Sequence, residues 1–148
     1  MSLTYSPLVD LSAGIYTALN VGAVTGIATG GVGDEIGPNP TFPFLLFEVE
    51  EKYTGGLGTQ PGTAGALYEV TITLHAFAQD GTAASAVKLT QTLINAAIGV
   101  LINALSLTGW SNWANFYDES MPAGDQLVAG IQVKELVAKL RAEVELQP

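Results

Sequence analysis

The spacing of apolar residues changes period along the chain, and each change marks an element. Behind Ser6-Pro7, a capping residue followed by proline at the first helical position, Leu8, Leu11, Ile15 and Ala18 or Leu19 recur at helical spacing. They predict a helix over about 7–19, with Asp10 in its first turn where a negative charge suits the helix dipole. Residues 20–41 are then broken by Gly22, Gly26, Gly30, Gly31, Gly33, Gly37, Pro38 and Pro40. Such a stretch supports a loop with at most one short strand.

Phe42-Pro43-Phe44-Leu45-Leu46-Phe47-Glu48-Val49-Glu50-Glu51 reads as a strand that starts apolar on both faces and ends acidic. Glu48 and Glu50 share one face and Val49 lies on the other. Leu67 to Ala78 alternates cleanly. Val70, Ile72, Leu74 and Ala76 fall on one side, and Glu69, Thr71, Thr73, His75 and Phe77 on the other, as for the hairpin mate of strand 44–53. One sheet face is thereby expected to be buried and the other open to water or to a partner. The connection, about 54–66, is rich in Gly, Thr and Pro and buries too little apolar surface to offset its ordering entropy. It reads either as a mobile hairpin loop or as a segment that orders on a partner.

Asp80-Gly81 turns the chain, and Thr82 or Ser85 caps a second long helix running to about Asn103 or Leu105. Its apolar residues, among them Leu93, Ile94, Ala97 and Leu101, are too many for one narrow stripe. It is therefore expected to pack on the sheet and also on the first helix or a neighbouring molecule. Gly99 within it hints at a close helix contact. Leu107 to Ser120 reads as a turn and an aromatic strand ended by Pro122 and Gly124. Residues 134–146 fit two templates. Their composition favours helix, whereas Leu136, Ala138, Leu140, Ala142, Val144 and Leu146 alternate with Val137, Lys139, Arg141, Glu143 and Glu145 as in a strand.

Composition narrows the function. A chain of 148 residues is expected to form one domain, residues 1–148, that buries enough core to need no staple, and it has no Cys. No basic leader and no apolar run of membrane-spanning length stand out, which reads as a soluble intracellular protein with no membrane role. Five Lys plus Arg against 14 Asp plus Glu give a net charge of −9, with no Lys or Arg before Lys52. Specific nucleic-acid binding is disfavoured, since such affinity rests on cations that release counterions. Charged residues are nonetheless only 13% of the chain and the mean hydropathy is +0.34. Polar cover this thin favours burial against other subunits.

Candidate chemistry is sparse. Gly31-Val32-Gly33-Asp34-Glu35-Ile36-Gly37 has the wrong spacing for a phosphate loop, lacks its Lys, and is acidic where phosphate would sit. His75, the single histidine, lies on the polar side of its strand with no nucleophile or second base suggested by nearby spacing. Trp110, Trp113, Phe116 and Tyr117 read as core edge or subunit contact rather than a sugar or base platform. Asp118, Glu119 and Asp125 do not match a calcium loop. No catalytic residue, metal ligand or cofactor site is assigned, and the expectation is a protein that is not an enzyme.

The element order, helix, hairpin with a long tip, helix, two strands, resembles the siphophage and prophage tail completion (tail terminator) proteins, a family of minor tail proteins. The resemblance rests on Ile15-Tyr16-Thr17-Ala18-Leu19 in the first helix, on Asp34-Glu35, and on Phe42-Pro43-Phe44-Leu45-Leu46-Phe47. It continues with Glu69 to Phe77 as second strand, Ala86 to Leu101 as second helix and Ala138 to Glu145 as final strand. Departures from the family are the long Gly-rich hairpin tip and Ala123 to Glu135, which looks like an insertion where the family has a short turn. The resemblance resolves 134–146 in favour of strand and implies an α+β fold, a mixed or antiparallel sheet of about four strands on two helices in the order α-β-β-α-β-β. It also implies a virion protein, made in the host cytoplasm, that forms a ring of six copies on the head-proximal end of the tail tube. There it ends tube polymerisation and meets the head-tail connector. Partner contacts are expected at Glu48, Glu50 and Glu69 on the acidic strand face, which is either an ordinary solvated face or the lining of a lumen for DNA, and at Tyr53, Leu57 and Gln60 around the hairpin tip. Competing readings are another head-tail neck component, a connector or stopper, and a small α+β enzyme or ligand-binding domain.

Overall fold

The computed structural model describes residues 7–55, 66–79, 83–103 and 110–146; in 7–12, 55, 83–85, 102–103, 110–123 and 142–146 it describes the backbone only. Helix α1 (Pro7–Leu19) is followed by a single helical turn, α2 (Gly22–Thr25), and a short strand, β1 (Gly31–Gly33). Then come β2 (Phe44–Gly55), β3 (Leu67–Gln79), helix α3 (Ala83–Asn103), β4 (Trp110–Val128) and β5 (Ile131–Leu146). The strands form one sheet in the order β1-β2-β3-β5-β4, with β1 parallel to β2 and every other pair antiparallel. The fold is α+β, with a five-stranded mixed sheet and three helices among the described residues.

All three helices contribute to one core on one side of the sheet. Ile15 and Leu19 of α1, Val24 of α2, and Leu93, Ala97 and Leu101 of α3 are fully buried there. They pack on Leu45 and Phe47 of β2, Val70, Ile72, Leu74 and Ala76 of β3, and Ala138 and Leu140 of β5. The strand period places these residues together. Register sets Phe47 opposite Leu74 and Leu74 opposite Ala138, so the apolar row of each strand continues that of the next. Helix α3 packs on β3 and β5 and against both α1 and α2, which accounts for its wide apolar surface within one chain.

The expected order α-β-β-α-β-β is present, with two additions in the Gly-rich stretch 20–41, where at most one short strand was expected. The turn α2 forms although it begins on Gly22 and has no side-chain cap, because Val24 inserts into the core. Strand β1 depends on a close approach. A Cβ at Gly30 would fall 1.8 Å from the Thr41 carbonyl oxygen, and the Gly30 N–H donates to the Pro43 carbonyl at 2.8 Å. The Phe42–Pro43 peptide beside it is cis.

Residues 134–146 form a strand, as the resemblance implied. Two boundaries differ from the reading of the sequence. The aromatic strand does not stop at Pro122 and Gly124 but runs on to Val128, because a register shift between Met121 and Gly124 absorbs the proline. Residues 123–135 are thus the end of one hairpin, closed by Ala129 (φ 50) and Gly130 (φ 80), the pair of left-handed residues that a tight two-residue turn requires. Gly99, taken as a sign of close helix contact, faces open space, since a Cβ there would meet nothing within 4 Å. Asp80, Gly81 and Thr82 lie outside the described residues, and of the loop expected at about 54–66 so do residues 56–65, whereas Thr54 and Gly55 belong to β2.

Candidate functional site

The sheet face away from the helices carries the candidate residues. Strand alternation puts Phe44, Leu46, Glu48, Glu50 and Lys52 of β2 beside Phe77, His75, Thr73, Thr71 and Glu69 of β3. The next row is Glu135, Val137, Lys139 and Arg141 of β5. No helix covers this face in the core described above, yet it is not uniformly open. At the Phe44 end Phe77 is 4% and Val133 0% exposed, and a Cβ at Gly31 or Gly33 would touch the Phe44 ring, so that end is closed over. Toward Lys52 it opens, with Glu48, Glu50, Lys52, Glu69 and Lys139 all exposed.

His75 stands at the border between the two zones. Its Nδ1 lies 3.2 Å from Glu135 Oε2 and its Nε2 lies 2.9 Å from Glu48 Oε1. The first contact is a hydrogen bond; the second is close but out of hydrogen-bond alignment. The imidazole stacks on Phe77, with ring centroids 6.2 Å apart and planes at 7°. Glu135 also accepts from Gln126 Nε2 at 3.5 Å, so a polar chain runs from β2 through β3 and β5 to β4. Sequence spacing suggested no partner for His75. Glu48 and Glu135 are diagonal cross-strand neighbours, visible only once the register pairs Leu46 with His75 and Phe77 with Glu135. The two carboxylates face opposite ring nitrogens, so the three groups do not converge on one ion, and among the described residues neither nitrogen addresses a hydroxyl that it could activate.

Glu48, Glu50 and Glu69 therefore share a face, as expected, but that face is mixed rather than acidic. Lys52, Lys139 and Arg141, three of the five cationic side chains of the protein, lie on it as well. Tyr53 projects to the opposite, helix side and packs edge-on against Tyr68 at 5.7 Å, so it does not join the three carboxylates. Leu57 and Gln60 lie outside the described residues. Trp110, Trp113, Phe116 and Tyr117 fall on β4 where only backbone is described.

A residue the sequence reading passed over is Glu51. It projects to the helix side beside Val49 and opposite Val70, and its Oε2 is buried with no hydrogen-bond partner among the described residues. Burial pushes its carboxyl above the ordinary range, because the charged form loses more hydration than the neutral one. The sequence signal was the odd-even period itself, which puts Glu51 out of step with Glu48 and Glu50.

On the helix side, α1 and α3 leave a shallow groove of about 580 Å³ between Ala18, Val21, Ala96, Gly99 and Val100. Tyr16 and Leu89 are also substantially exposed on these helices. Among the described residues no group of three potential ligands is placed to hold a metal ion, and no helix is long and apolar enough to cross a membrane.

No family model matches the chain, and no curated protein does. Among solved structures, the chain is similar to one from the virion of the native gene transfer agent (GTA) particle. The two are 16% identical with a TM-score of 0.48, over 94% of this chain and 99% of that one.

Proposed function

We propose that this protein is a structural component of a phage-type tail that assembles as a ring on the head-proximal end of the tail tube, ends its polymerisation and meets the head-tail connector. The observation that carries the reading is the layout of the sheet. Two antiparallel hairpins, β2–β3 and β4–β5, flank α3 and pack side by side as β2-β3-β5-β4, with the helices of the core on one side. This is the element order on which the resemblance to the tail completion proteins rests. Composition supports self-association. Exposed Tyr16, Val21, Leu89 and Leu127 accompany a chain that is only 13% charged. Passage of DNA through such a ring rests on the net charge of −9 and not on a uniformly acidic strand face, since Lys52, Lys139 and Arg141 share that face. The site residues add no catalytic role.

Native mass tests the proposal. Sedimentation or light scattering across a concentration range, with and without tail-tube protein, should give a species of six copies of the 15.4 kDa chain, about 92 kDa, alone or on adding tube. A monomer indifferent to concentration and to tube protein overturns it. Binding to portal or connector in place of the tube would move the assignment to another neck component.

A further inference from the structure

Strand β2 is twelve residues long, but its outer neighbour β1 pairs only with Phe44 to Leu46. From Phe47 to Gly55 no strand lies beside that edge among the described residues, and alternate residues there direct N–H and C=O groups away from β3. The edge is not neutral. Glu48, Glu50 and Glu51 fall within four residues, and adjacent Glu50 and Glu51 project to opposite faces of the sheet. Glu48 is engaged by His75, whereas Glu51 keeps a buried oxygen without a hydrogen-bond partner among the described residues. An inward-pointing carboxylate on an edge strand blocks indiscriminate strand pairing, because an apolar strand laid beside it would deepen the burial of an uncompensated charge.

We propose that the outer edge of β2 between Phe47 and Lys52 accepts an extended, basic segment of a partner protein as an added strand. Charge complementarity selects this occupant. A strand seated there places side chains beside Glu48 and Glu50 on the open face and beside Val49 and Glu51 on the helix face. It satisfies all four with a cation, an apolar residue and then two consecutive cations. A second copy of this chain is the wrong occupant by its other edge, since Trp110 to Val128 contains Asp118, Glu119 and Asp125 and no Lys or Arg. The proposal stands apart from the ring reading, because it concerns one edge of one protomer.

The test uses the full-length protein, isotope-labelled, and a blocked nine-residue peptide in which lysine-valine-lysine-lysine is flanked by threonine and valine. The expected result is saturable binding below about 1 mM, with amide shifts and new exchange protection confined to alternate positions of Phe47 to Lys52. Methylating alternate peptide nitrogens should abolish binding, and Glu50→Lys, at an exposed position, should weaken it roughly tenfold or more. A circular dichroism spectrum identical to that of the unaltered protein shows that the variant folds. Absence of binding at about 1 mM overturns the proposal. So does binding that survives N-methylation or Glu50→Lys, which marks non-specific charge adhesion, and so do shifts that map to β4.

Discussion

His75 and Glu135 lie sixty residues apart in the chain and face each other at 3.2 Å, Nδ1 to Oε2, across the β3–β5 ladder. Both side chains are only 18% exposed, so the bond is shielded from competing water. The opposite contact is different in kind, because Glu48 is 57% exposed and poorly aligned. A double-mutant cycle of His75→Asn with Glu135→Gln should therefore give a coupling of about 0.5–1.5 kcal/mol in urea unfolding. The matching cycle with Glu48→Gln should fall at the bottom of the range for exposed pairs, about 0.2 kcal/mol. Equal couplings would mean that the two contacts are equivalent in solution.

Glu51 makes stability pH-dependent with a defined sign. Burial holds its carboxyl pKa above the ordinary value of 4.5, so the folded chain binds this proton more tightly than the unfolded chain. Its contribution is at full strength below the ordinary value and is lost as pH rises through the raised one. Glu51→Gln should leave stability near pH 4 little changed, raise it at pH 7 and flatten the decline between. Urea melts of both proteins across that range check the sign.

Gly99 sits inside α3 in open space, so an added methyl meets nothing and removes the glycine penalty. Gly99→Ala should stabilise the protein by about 0.4–1 kcal/mol. If the groove beside α1 is instead closed over by a neighbouring protomer in solution, the same change will lower the stability of the assembly. Melting at low and high protein concentration separates the two outcomes.

Gly30 is the opposite case. A methyl there would lie 1.8 Å from a backbone oxygen that cannot swing away, so Gly30→Ala must push Thr41 to Pro43 off β1. A loss of about 1–3 kcal/mol is expected, in the range for overpacking. Hydrogen exchange at Val32 and Leu45 should rise while that at Ile72 and Leu140 stays slow.

The contrast between Gly99 and Gly30 shows how far one-dimensional reading reached. Both are glycines in plausible places, and the sequence suggested close contact for the first and, for the second, no contact beyond a loop with at most one short strand. The structure reverses them, because what a missing Cβ makes room for is set by whichever distant segment lies opposite. The pairing of Glu135 with His75 is of the same kind. Neither residue has a local pattern that names the other, and only the β3–β5 register brings them together.

What the chain determined by itself is the set of elements whose neighbours are close in sequence. Helix 7–19, the long helix ending at Asn103, and the hairpin of β2 with β3 follow from 3.6- and two-residue periods, since apolar residues at those spacings share a face wherever the element is packed. The sorting of Glu48, Glu50 and Glu69 to one face came with it. Tertiary structure alone decided the rest. It stabilised α2 and β1 against their Gly-rich composition through Val24 and the Gly30 approach, and it carried β4 past Pro122 by shifting register. It also mixed cations into the acidic face, because β5 was laid beside β3, and it left the outer edge of β2 without a strand beyond Leu46 among the described residues. Those outcomes depend on which segments meet, and local composition carries no record of that.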